Sequence, residues 1–113
     1  MGEDNKKNLF NSKHEAQNIL KNSREEIDKI DNEIINLISK RTLLAKDIIN
    51  AKIFLDMDIY DENREKVIYD KVSRLAIDKN IDKNILIKIM NQLTKLSKDQ
   101  QKEILKRKKN GKY

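Results

Sequence analysis

Proline is absent from this 113-residue chain, and its two glycines, Gly2 and Gly111, stand at the ends. Nothing between them breaks a helix, so the sequence reads as long helices joined by short polar loops. Cysteine is also absent, which excludes disulfides, thiolate metal sites and cysteine nucleophiles. Aromatic residues make up only 4% of the chain, so a core has to be built from Ile and Leu. Tyr60, Tyr69 and Tyr113 lack the spacing of a stacking platform, and the single histidine, His14, lies in an N-terminal stretch outside the main apolar pattern. No run of about 18 apolar residues occurs, and the polar start MGEDNKKNLF is no signal peptide. A soluble, cytoplasmic protein with no membrane contact is expected.

Hydrophobic residues are 37% of the chain and charged residues 39%, too much charge for one compact globule to hide. The net charge of +6 raises the question of nucleic acid, but its location answers it. Lys106, Arg107, Lys108, Lys109 and Lys112 fall within the last eight residues with no acid among them, and the remaining 105 residues carry only +1. A basic end of this kind reads as a solvated tail, whereas a nucleic-acid binder carries its charge along a structured face. The expected organisation is an N-terminal extension over 1–20, partly helical or disordered, one folded domain over 21–105, and a basic flexible tail over 106–113.

Three helices are predicted. Ser12 and Ser23 each stand three residues before a glutamate, so two capping boxes compete for the first start. From the later one, an apolar stripe (Ile27, Ile30, Ile34, Leu37, Leu44, Ile48, Ala51, Leu55) runs in steps of three, four and seven. That helix would be about 33 residues, roughly 50 Å, against a radius of gyration of about 13 Å for a compact domain of this size. The 58 residues that follow are too few to wrap it, so a second chain is expected to supply the cover, in an intertwined homodimer. DMDIY (56–60) forms the first connection, with Asp61 capping a second helix whose apolar positions include Val67, Ile68, Val72, Leu75 and Ala76. DKNID (78–82) forms the next, with Asp82 capping a third helix through Leu86, Ile89, Met90, Leu93, Leu96, Ile104 and Leu105.

Polar residues stand where these stripes call for hydrophobes. Arg41 occupies the step between Leu37 and Leu44, and Lys52, eleven residues on, returns to within about 20° of the same face. Arg24 lies roughly 100° away from them, so it joins their group only from a second chain. Asp61, Arg64 and Glu65 share a face of the second helix, and Ser97 and Gln101, four apart, share one on the third. Singly, each has an ordinary explanation as a register-setting arginine, a capped helix start or a half-exposed helix face. Together they offer three or four cations, a hydroxyl, an amide and one or two carboxylates. Such a set suits a small dianion, because arginine presents a fork matched to carboxylate. It contains no histidine base, activated nucleophile or metal-ligand cluster.

The whole set, in order, resembles the AroQ-type, all-helical chorismate mutases. The segments that carry the resemblance are REEIDKIDNEIINLISKRTLLAKDI, then AK, then YDENREK, and finally LTKLSKDQQ, covering about residues 20 to 105 without gaps. The resemblance implies the Claisen rearrangement of chorismate to prephenate, on the route to phenylalanine and tyrosine, with no cofactor and no metal. It implies that Arg24 of one chain and Arg41 of the other hold the two substrate carboxylates, assisted by Ser97. Lys52 and Gln101 would donate to the ether oxygen as the C–O bond lengthens. Glu65 would accept from the substrate hydroxyl, with Asp61 and Arg64 shaping that end. On this basis Arg41→Leu should fold at least as well as the parent and lose activity.

Two alternatives remain. The isochorismate-pyruvate lyases share the fold and handle a similar dianion, but they tend to lose the acidic partner in the second helix, whereas Asp61 and Glu65 are both present here. A non-catalytic helical dimer explains the composition but leaves eight matched positions to coincidence. The family's first loop usually carries Gly and Pro before the acidic motif, and FLDMDIYD has neither.

Overall fold

The computed structural model describes residues 9–111. It contains α1 (Lys13–Leu43), α2 (Ala45–Phe54), α3 (Glu62–Asp78) and α4 (Lys83–Lys109), with no strand among the described residues. Leu44 alone separates α1 from α2, and its backbone stays right-handed helical at φ −66° and ψ −15°. Its N–H turns back three residues to Arg41 O at 3.2 Å, and the four-residue spacing resumes with Ile48 N–H on Leu44 O at 3.0 Å. The long first helix of the three expected is therefore present, with one tightened turn.

Two compact units divide the chain between Leu37 and Ile38. In the first, the earlier serine is the cap in use: Ser12 Oγ accepts from Glu15 N–H at 3.1 Å, and Glu15 Oε2 reaches past the cap to accept from Asn11 N–H at 3.1 Å. The helix passes through Ser23 without a break, because nothing after Ser12 stops it. No residue of α1 is buried. Ile27, Ile30, Ile34 and Leu37 all remain exposed along it, as an apolar stripe.

In the second unit, α2 and α3 both pack on α4. Its core is small: Ala45 and Ile49 of α2, Val72 and Ala76 of α3, and Ile104 of α4 are buried. The face of α2 that is buried is thus one residue out of step with the stripe read from the sequence. Leu44, Ile48 and Leu55 are exposed instead. A periodic pattern identifies an apolar face without saying what covers it, and here another face of the helix meets α4.

Asp61 and Asp82 cap α3 and α4 as expected, accepting from Arg64 N–H at 3.1 Å and Ile85 N–H at 2.9 Å. The connection lacking Gly and Pro closes through Asp56, which takes φ +56° itself. Met57 N–H then reaches Lys52 O at 2.8 Å, a Schellman-type ending. Asn80 does the same at φ +55°, with Ile81 N–H on Ala76 O at 2.9 Å. Asp and Asn tolerate this left-handed conformation best among non-glycine residues.

α4 continues through Lys106, Arg107, Lys108 and Lys109, so the expected break after Leu105 is not where this helix ends. Cations in a last turn face the negative end of the helix dipole, which favours the helix rather than fraying it. Lys112 and Tyr113, like Met1 to Asn8, lie outside the described residues.

Candidate active site

A cavity of about 370 Å³ opens in the second unit, and each of its walls is one helical stripe. Arg41, Leu44, Ile48 and Lys52 line it from the end of α1 and from α2, at steps of three, four and four. Asp61, Arg64, Glu65 and Ile68 line it from the start of α3, and Thr94, Ser97, Lys98 and Gln101 from α4. The latter two stripes both have i, i+3, i+4, i+7 spacing, one face of a helix. Ile59 closes the wall between α2 and α3. The apolar stripe that failed to enter the core is thus partly the floor of this cavity.

Lys52 is the best anchored of the cations. Its Nζ donates to Ile59 O at 2.6 Å and to Gln101 Oε1 at 2.9 Å. Gln101 in turn donates through Nε2 to Ser97 Oγ at 3.1 Å. The orientation of the Gln101 amide follows from its neighbour, since an ammonium requires an acceptor facing it. These bonds explain how Gln101 can be buried to 3% exposure without stranding a polar atom. They also leave donors over. An ammonium has three N–H bonds and an amide two, so Lys52 and Gln101 each retain one hydrogen beyond these bonds.

Arg41 is half-buried and donates from Nη1 to Leu93 O at 2.9 Å, which steadies one edge of the guanidinium. Lys98 Nζ lies 3.3 Å from Glu65 Oε1 and 3.5 Å from Oε2, joining α4 to α3. Asp99, the next residue, belongs to an exposed pair outside the cavity. The Lys95 ammonium, donating to it at 2.6 Å, holds its carboxyl below the usual carboxylate range.

Seven of the eight residues singled out in the sequence therefore line one cavity: Arg41, Lys52, Asp61, Arg64, Glu65, Ser97 and Gln101. Arg24 does not line it. Lys98 and Thr94 were missed, although with Ser97 and Gln101 they complete a single helical stripe. Lys98 sits among other lysines and reads as part of a solvated face, which hides it. No group of three or more His, Cys, Asp or Glu residues suited to a metal occurs among the described residues. No described helix is long and apolar enough to cross a membrane.

Comparison with known proteins gives a consistent picture. The family described as chorismate mutase type II matches residues 23–102. The chorismate mutase of Methanocaldococcus jannaschii is 45% identical over 82 residues, which are 73% of this chain and 83% of that protein. A bifunctional chorismate mutase/prephenate dehydratase of Buchnera aphidicola is 31% identical over 90 residues, covering 80% of this chain and 23% of the longer relative. Among solved structures, a monomeric chorismate mutase from Methanococcus jannaschii, determined by NMR, aligns with a TM-score of 0.62 at 39% identity. The alignment covers 77% of this chain and 91% of that one.

Proposed function

The chain belongs to the type II chorismate mutases and isomerises chorismate to prephenate, and we propose that the cavity between α2, α3 and α4 does this by holding one reactive conformer and stabilising charge on the breaking ether bond. The observation that carries this reading is the pairing of Lys52 and Gln101 in the wall of the cavity, each with one N–H beyond the bonds it makes there. Such a pair seats a single oxygen that becomes negative, and donors fixed beforehand cost no reorganisation when the charge appears. Arg41 takes one substrate carboxylate, with the Ser97 hydroxyl beside it. Glu65 accepts from the ring hydroxyl, and Asp61 and Arg64 frame that end. The rearrangement proceeds within one molecule, so the set requires no base and no nucleophile. Its contribution is to select a compact chair from a flexible ground state.

The second substrate carboxylate is assigned to Arg24 of another copy of the chain, in a homodimer. The support is the uncovered stripe on α1: Ile27, Ile30, Ile34 and Leu37 are each about half exposed, from 46% to 62%. An apolar face of this kind is the usual mark of an interface. A second α1 would cover it and carry Arg24 with it.

Purified protein given chorismate should form prephenate, and given isochorismate should release no pyruvate. Glu65 is the basis for this choice, since the lyases of this fold tend to lack the acidic partner. Pyruvate from isochorismate, with chorismate left intact, would keep the fold and overturn the reaction.

A further inference from the structure

We propose that Lys98 is a positioning residue for this reaction: it fixes the Glu65 carboxylate at the hydroxyl end of the cavity and offsets its charge toward a dianionic substrate. The inference rests on the chorismate reading of the site. Its geometric basis is that one ammonium straddles both carboxylate oxygens, at 3.3 and 3.5 Å, from a different helix. Lys98 is itself held from a second side, with Nζ 5.5 Å from the centroid of the Tyr60 ring. Tyr60 precedes the α3 cap Asp61, so Lys98 touches the entry of α3 as well as its first turn. A carboxylate tethered in this way has few orientations left, and a hydroxyl can find it without reordering it.

The charge balance points the same way. Arg41, Lys52, Arg64 and Lys98 line the cavity against Asp61 and Glu65, an excess of two positive charges from this chain, to which the Arg24 proposed from a second copy would add a third. Without Lys98, Glu65 loses the cation paired with it and faces the dianion with its own charge uncompensated. A purely structural pair gives a weaker account. Its two side chains are 31% and 33% exposed, and ion pairs that open to water contribute little to folding. Lys95–Asp99 is such a pair, lying within one helix and away from the cavity.

Charge offset acts on bound substrate and transition state alike, so it governs KM rather than kcat. Lys98→Met should raise KM for chorismate about tenfold, the scale of one charge-assisted hydrogen bond, and change kcat less than about threefold. Lys98→Arg, which keeps the charge and can fork the carboxylate, should restore KM to within about threefold of the parent. In a Glu65→Gln background, where no carboxylate remains to place, Lys98→Met should change KM by less than about threefold. An unchanged KM in folded Lys98→Met overturns the inference, as does an equal loss in both backgrounds, which would mean Lys98 acts without Glu65. A parent enzyme that leaves chorismate untouched removes the substrate reading, and this inference with it.

Discussion

Lys52→Ala is expected to lower kcat for chorismate by about 100- to 1,000-fold, the loss of about 3–4 kcal/mol that accompanies removal of one preorganised donor. The side chain reaches the site already fixed, with two of its hydrogens on Ile59 O and Gln101 Oε1. In the proposed site its third hydrogen would meet the ether oxygen without searching for it. The same substitution carries a stability signature. Gln101 is 3% exposed and loses the partner of its Oε1 atom, and a stranded buried acceptor costs about 1–3 kcal/mol. Thermal unfolding and steady-state kinetics on one preparation separate the two effects. A purely structural lysine would lower the melting temperature and leave the folded fraction fully active.

Arg41→Leu should separate activity from stability in the other direction. The expected fall in kcat/KM is about 100-fold or more, because a guanidinium fork on a carboxylate supplies two charge-assisted hydrogen bonds of about 1.5–3 kcal/mol each. Stability should stay within about 1 kcal/mol of the parent. The one bond Arg41 makes among the described residues goes to Leu93 O, a carbonyl inside α4 that also has the helix's own bond pattern to satisfy it. Leucine would meet Leu44 and Ile48 on the same wall, so the substitution trades charge for apolar contact. Denaturant titration and initial rates test this. A structural Arg41 would show the reverse, with stability lost and rate retained.

Why so much of this site could be read from the sequence follows from helical geometry. With no proline or interior glycine, the helical period carries on past the one tightened turn at Leu44, and polar residues that break an apolar stripe keep nearly fixed angles to one another. That is sufficient to group Arg41 with Lys52, Asp61 with Arg64 and Glu65, and Ser97 with Gln101. The caps at Asp61 and Asp82 were legible for a similar reason, since each is a local bond between one carboxylate and one N–H.

The features that escaped are those that local pattern does not decide. Ser12 and Ser23 have the same capping chemistry, and the choice between them depends on how far the helix propagates. Leu44 and Ile48 were read as packing and prove to line the cavity, because the floor of a pocket and the floor of a core are written alike. Lys98 stands among other lysines in the sequence, and only the fold brings Glu65 of α3 to it. The endings at Asp56 and Asn80 were hidden because residues other than glycine take the left-handed conformation there.

The proposed arrangement, a site built on one chain and completed by Arg24 of another, rests on the exposed apolar stripe of α1 and the two carboxylates of the substrate. Its most direct test is to mix Arg24→Ala and Lys52→Ala chains, unfold and refold them together, and assay chorismate turnover. Each variant alone should be nearly inactive. Random pairing into symmetric dimers makes half of them mixed, each with one intact site, so activity should return to about one quarter of the parent. A mixture no more active than the average of its two components, although dimeric, would contradict a site shared between chains.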